Sequence, residues 1–328
     1  MFATIANFIQ RAVVQGIPLL YGSTGEILTE KSGNLNLGIP GIMYVGAVSG
    51  VIGAFFYEKN TAGVLNPVIA ILVPLLASLF GSLMMSLIYS FLTITLRANQ
   101  NVAGLALTTF GIGVGNFFGG SLATLYGEGG ALSLKATSDI FKTTFPFASK
   151  LGSFGKIFFS YGAFAYLAII VAVIVAFVLK RTRLGLNLRA VGESPATADA
   201  AGINVTKYKY GATCLGGMIA GLGGLYFIMD YTCGIWSNGG FGDRGWLAVA
   251  LVIFAIWNPD VGIIGSILFG GLYVVYIFIP GLSRSAQELF KMLPYVVTLL
   301  VLIATSMRRK RETQPPMSLG LNYFREAR

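Results

Sequence analysis

The stretch that decides the fold is "TEKSGNLNLGIPG", residues 29–41, which lies between two long apolar runs. It holds two charges, two asparagines and three glycines within thirteen residues. That composition does not suit the middle of a membrane span, and the "LGIPG" end is too apolar for a plain surface loop. Gly38, Pro40 and Gly41 together make a continuous helix costly, because glycine loses the most backbone entropy and proline removes a donor and clashes with the preceding turn. The expectation is a broken helix. Unwound backbone is tolerated at membrane depth only where protein or a water-filled cavity satisfies its polar groups, so such a break forms either a tight interhelical turn or the wall of a solute path. Asn34 and Asn36 supply both donors and acceptors, which suits a neutral polar solute such as a sugar ring or the edge of a base.

The rest of the chain agrees with a membrane setting. Of 328 residues, 55% are hydrophobic and 11% charged, against about a quarter charged in soluble domains. No Asp, Glu, Lys or Arg occurs between Lys59 and Arg97, Arg97 and Glu128, Lys156 and Lys180, Lys209 and Asp230, Asp260 and Arg284, or Lys291 and Arg308. Each gap is about the length needed to cross a hydrocarbon core of about 30 Å as a helix, or longer. No barrel-type alternation is present, so the fold class is all-α, a polytopic transmembrane helical bundle. The expected spans are 5–25, 36–57, 64–96, 101–123, 158–179, 208–230, 243–258, 260–280 and 292–307, about nine helices with a range of 8–10. The first carries Arg11 and lacks a small-residue cleavage site, so it reads as a retained helix. The side of the N-terminus stays open.

Charge placement orients the bundle. Lys180, Arg181, Arg183, Arg189, Lys207 and Lys209 outnumber Glu193 and Asp199 in the segment 180–209, and "MRRKRE" begins the tail at Met307. Both belong on the cytoplasmic side by the excess of Lys and Arg in inward-facing loops. The net charge of +10 is thereby mostly topology, and nothing in motif or aromatic context supports nucleic acid as a partner. Residues 1–307 read as one membrane domain with an extracytoplasmic loop at 124–157, and 308–328 as a basic cytoplasmic tail, a surface or disordered end. Cys214 and Cys233 read as small core residues, and the absence of histidine removes the commonest general base and metal ligand, so no catalytic residue and no metal site are expected. "GSLMMSLIY" at 81–89 and "GSILFGGLY" at 265–273 share a faint similarity, as an inverted repeat or by coincidence.

The segment "GLNLRAVGESPATADAAGINV", residues 185–205, is rich in small residues. Ser194 and Pro195 suit the N-cap and first turn of a short helix and Gly202 suits its end. This stretch resembles the cytoplasmic coupling segment of ABC importer permeases of the group that includes ribose, branched-chain amino acid and nucleoside permeases. The pattern G-x-N-x-x-A-x-G-[EN]-x-x-x-x-A-x-x-x-G-I is matched at Gly185, Asn187, Ala190, Gly192, Glu193, Ala198, Gly202 and Ile203. "GEILTEKSGNLNLGIPGIMYVGA", residues 25–47, resembles the opening signature of the nucleoside (basic membrane protein-type) branch. It matches at Gly25, Glu26, Glu30, Lys31, Ser32, Gly33, Asn36, Leu37, Gly38 and Ile39, and departs at Pro40, where that branch commonly has a glutamate.

The resemblance implies a type II ABC importer permease that binds no cofactor itself, with ATP and Mg on a separate ABC ATPase subunit. It also implies a second permease subunit in an unlike pair, an extracytoplasmic substrate-binding protein, and a place in a bacterial cell membrane with the C-terminus cytoplasmic. Gly192, Glu193, Ser194, Ala198 and Gly202 become the expected coupling residues toward the ATPase. Asn34, Asn36, Asn99, Asn101, Asn116, Tyr226 and Asp230 are polar groups in or beside spans, each either a path residue or a helix–helix hydrogen bond. Ribose-like sugars and branched-chain amino acids remain alternative substrates. An ion-driven carrier would need mid-span carboxylates, to which Glu26 and Asp230 come closest. An intramembrane enzyme would need catalytic sets this sequence lacks, and no G-x-x-x-x-G-K-[ST] is present to bind ATP.

Overall fold

The computed structural model describes residues 2–61, 64–127, 131–146, 148–308 and 314–326. The chain begins with α1 (Phe2–Glu30), crosses a link at 31–38 and enters α2 (Ile39–Asn60). Next, α3 (Pro67–Ser90) runs into a π-helical turn, Phe91–Thr95, and α4 (Gln100–Tyr126) follows. A short strand β1 (Ala131–Ser133), α5 (Lys135–Phe141) and α6 (Gly152–Phe158) precede α7 (Ala163–Arg181). Two shorter helices, α8 (Arg183–Glu193) and α9 (Pro195–Ala200), lead into α10 (Val205–Tyr226), which ends in a second π-helical turn, Phe227–Tyr231. The remainder is β2 (Ile235–Ser237), α11 (Arg244–Phe254), α12 (Pro259–Val274), α13 (Arg284–Lys291) and α14 (Leu293–Arg308). β1 and β2 pair antiparallel with Leu132 opposite Trp236.

Among the described residues, seven helices are long and apolar enough to cross a membrane. The chain is a multi-pass membrane protein. Each expected span coincides with a helix, but two of the nine, 5–25 within α1 and 243–258, are not among these seven. The stretch 243–258 holds only the 11-residue α11, about 16 Å long and too short to cross alone. Ile256 and Trp257 end it in the left-handed region, at φ 53° and 52°, a conformation that stops a helix.

α1 and α10 form the centre, and small residues let them meet backbone to backbone. A Cβ added at Gly25 would collide with the Gly216 carbonyl, and one at Gly216 with the Gly25 carbonyl. α10 also faces α3 through small residues, with Ser82 against Gly221 and Ser86 against Gly217. The hydroxyls of Ser82 and Ser86 donate back into their own helix, to Ser78 O at 2.7 Å and Ser82 O at 2.8 Å. Two contacts from this serine row reach α10, Ser78 Oγ to Gly221 O at 3.3 Å and Ser90 Oγ with Cys214 Sγ at 4.0 Å. The two similar stretches lie in α3 and α12, and these run in opposite senses through the bundle.

Contacts sort the helix ends into two sides. On one, Lys180 pairs with Asp260, Trp257 Nε1 donates to Glu30, and Asn322 Nδ2 donates to Arg97 O at 2.6 Å. α8 and α9 lie on this side. On the other, Thr137 N donates to Glu58 Oε1 at 2.7 Å and Lys59 Nζ sits 3.9 Å over the Tyr126 ring. The β1–β2 pair and α5 lie there. The expected outer loop falls partly outside the described residues, at 128–130 and 147, and so does the basic run at 309–313. Beyond it the chain is not a loose end. Ser318 is buried against α8, and its N–H and hydroxyl both donate to Gly192 O, at 3.0 and 2.5 Å.

Candidate functional site: a broken helix and an aromatic polar cluster

The break expected from Gly38, Pro40 and Gly41 ends at Gly38, with Pro40 and Gly41 inside α2. Pro40 occupies the first turn of α2, where its missing N–H costs nothing. The unwound part is the link 31–38, in which Gly33 takes φ +81°, the left-handed conformation that glycine accepts freely. Asn34 and Asn36 are fully buried within it. Asn34 Nδ2 donates to Thr213 Oγ1 at 3.1 Å and to Thr93 Oγ1 at 3.4 Å, joining the link to α10 and to the first π-helical turn. Asn36 Oδ1 accepts from Gly38 N at 2.9 Å, and Asn36 N donates to Glu26 Oε1 at 3.1 Å. Leu35 N donates to Gln100 Oε1 at 2.7 Å, and Tyr89 OH donates to Leu35 O. The side chains therefore satisfy the unwound backbone, as its burial demands.

Three buried polar atoms of this cluster lack a protein partner: Asn34 Oδ1, Asn36 Nδ2 and Glu26 Oε2. Such atoms are rare in folded proteins and call for a reason. Lys31 opens the link beside Gly192 of α8. Burial, and then the nearby Arg189 guanidinium, push its ammonium down to about 8 against the opposing pull of Glu30.

A second cluster lies toward the β1–β2 side. Tyr44 OH donates to Asn116 Oδ1 at 2.6 Å and accepts from Gly239 N at 3.2 Å. The Tyr44 ring stands 5.2 Å from Trp236 and 6.0 Å from Phe241, centroid to centroid. Phe227 stacks on Tyr231 at 5.1 Å, and the buried Arg244 lies over both, 4.3 Å from the first ring and 5.0 Å from the second. Its Nη1 donates to Phe241 O at 2.8 Å. Tyr226 OH, Asp230 Oδ2, Trp236 Nε1 and Arg244 Nε are buried without a protein partner. Flat rings flanked by unsatisfied donors and acceptors can stack on a planar solute and bond its edge.

The expected residues thus divide. Asn34 and Asn36 share the link, and Asn116 belongs to the aromatic cluster. Tyr226 and Asp230 flank that cluster at the end of α10. Asn99 caps α4 by accepting from Val102 N at 3.1 Å, and both it and Asn101 are exposed. Sequence reasoning missed Tyr44, Arg244, Thr93 and Thr213. A single arginine opening an otherwise apolar run after "GGFGD" was the available signal for Arg244.

The α8–α9 segment takes the form its caps predict. Ser194 Oγ accepts from Thr197 N at 3.4 Å, and Gly202 turns the chain at φ +80°. Ala198 is buried with Val191 and Val205, while Ala196, Thr197, Ala200 and Ala201 face outward. Gly192 abuts the link, where an added Cβ would strike Lys31 O.

Residues 8–302 match the family described as "Branched-chain amino acid transport system / permease component". The chain belongs to this permease family. It is 33% identical over 303 residues to the "Nucleoside ABC transporter permease protein NupC" of Lactococcus lactis subsp. cremoris, covering 91% of this chain and 92% of that one. To the "Guanosine ABC transporter permease protein NupQ" of Bacillus subtilis it is 31% identical over 307 residues, 91% of each chain. To the "Putative glucose ABC transporter permease protein TsgC13" of Haloferax volcanii it is 32% identical over 274 residues, 81% of this chain and 75% of that one. No solved structure is a significant match.

Proposed function

We propose that this permease is the membrane subunit of an ATP-driven importer that takes up nucleosides delivered by an extracytoplasmic binding protein. The observation that carries the substrate class is the end-to-end similarity to two relatives named for nucleosides and guanosine. A planar base with polar edges and a sugar also suits the chemistry of the two clusters. Asn34 and Asn36 at the link, and Tyr44, Asn116, Tyr226, Asp230 and Trp236 in the outer cluster, are the residues assigned to the path.

In this reading the α8–α9 side and the C-terminus are cytoplasmic, and the protein sits in a bacterial cell membrane. The outward face of α9 docks on a separate ABC ATPase, which holds ATP and Mg; this chain holds neither. Gly192, Glu193, Ser194, Ala198 and Gly202 form the coupling element. The binding protein docks on the β1–β2 side, and a second, unlike permease completes the membrane pair.

The test is uptake of labelled uridine or adenosine in cells lacking the chain, with and without its restoration. Restored uptake blocked by nucleosides and not by ribose, glucose or leucine supports the reading. Block by a sugar favours the second one, a sugar permease, which rests on the relative named for glucose.

A further inference from the structure

The tail beyond residue 313 makes more specific bonds than a surface end needs. We propose that the segment Pro316–Arg325 is the positioning element of the coupling helix and joins that helix to the broken link 31–38. The inference rests on the coupling role proposed above for α8–α9.

At the coupling helix, Tyr323 OH donates to Asp199 Oδ2 at 2.8 Å, and Arg325 Nε lies 3.1 Å from the same oxygen. The Tyr323 ring packs against the cluster of Val191, Ala198 and Val205. The tail thus covers the inner face of α9 and leaves its outer face exposed. Asn322 Nδ2 donates to the carbonyls of Arg97 and Ala98, at 2.6 and 3.3 Å, between α3 and α4.

Two routes run from this segment to the link. Gln100, which is 2% exposed, donates through Nε2 to Leu321 O at 3.4 Å and Asn322 Oδ1 at 3.3 Å, while its Oε1 accepts from Leu35 N. One side chain therefore ties the tail to the residue between Asn34 and Asn36. The second route is Ser318, whose N–H and Oγ hold Gly192 O where Gly192 abuts Gly33. A displacement of α9 pulls on Asp199, hence on Tyr323 and Asn322, and reaches Leu35 through Gln100. Without the segment, buried Gln100 loses two acceptors and Gly192 O loses two donors, so the two ends of the route lose their shared support.

The experiment uses the full transporter, with ATPase and binding protein, reconstituted in vesicles. It measures nucleoside uptake per ATP hydrolysed, together with the amount of ATPase retained. The variants are a chain ending after Thr313, Asn322→Ala with Tyr323→Phe, and the cycle of Tyr323→Phe, Asp199→Ala and both. Uptake per ATP should fall at least fivefold in the first two while ATPase retention is unchanged. The doubly substituted cycle member should be no worse than its worse single member, as residues acting through one contact behave. If the shortened chain does not insert, the point variants decide alone. Uptake per ATP equal to the parent in the Asn322/Tyr323 variant overturns the proposal. Glu193→Arg, measured alongside, separates the two readings: normal coupling there removes the coupling role itself, whereas uncoupling there with normal tail variants removes only the positioning role.

Discussion

Asn36 N donates to Glu26 Oε1 at 3.1 Å, so a carboxylate on the last turns of α1 holds the middle of the link that follows it. Both groups are fully buried. Glu26→Ala leaves that N–H without an acceptor, at a cost of about 1–3 kcal/mol. Glu26→Gln keeps an acceptor oxygen in place. Thermal melting of the purified protein should drop clearly for the alanine variant and much less for glutamine. Equal melting temperatures for the two would show that the bond does not hold the link.

The Tyr44–Asn116 bond joins α2 to α4 within the aromatic cluster. Tyr44→Phe and Asn116→Ala should each destabilise modestly and couple by about 1 kcal/mol in a double-mutant cycle. Independent effects would mean that the bond contributes nothing beyond its separate parts.

Gly25 and Gly216 bring α1 and α10 into backbone contact. Gly25→Val places methyl groups where the Gly216 carbonyl lies, and overpacking of this kind costs about 1–3 kcal/mol or more. The yield of folded protein in detergent should fall sharply. A variant folded and inserted like the parent would mean that the two helices separate easily.

Lys31 offers a pH signature. Folding lowers its pKa to about 8 through burial, below an unfolded value of about 10.4. Between those values the unfolded chain binds more protons than the folded one, so this residue makes stability rise with pH across that window. Melting curves should show the rise in the parent, and Lys31→Met should make it shallower. A rise unchanged in the variant would assign it elsewhere.

The helices were legible because long uncharged runs have few alternatives in a membrane chain. The break was legible in outline from Gly38, Pro40 and Gly41, although Pro40 and Gly41 lie in α2 and the residue that turns the chain is Gly33. α9 was legible from Ser194, Pro195 and Gly202. The halving of α11 was not, because it depends on left-handed turns at Ile256 and Trp257, which are unusual for such side chains. Arg244 carried no sign of its aromatic partners, which come from the π-helical turn Phe227–Tyr231 and from Tyr273 of α12. The docking of Ser318, Asn322 and Tyr323 was equally hidden, because polar residues after a proline pair read as a free end until their partners are seen.

The α3–α10 seam has a mechanical meaning. Two of its serine hydroxyls bond within their own helix and two, on Ser78 and Ser90, reach α10, where the facing residues are glycines and Cys214, so few bulky side chains interlock across it. On this seam a small axial step of α10 would give up the Ser78–Gly221 and Ser90–Cys214 contacts and little else. α10 carries α9 at one end and Asp230 at the other. The seam is thus shaped as a bearing, and the rod it supports spans the distance between α9 and Asp230.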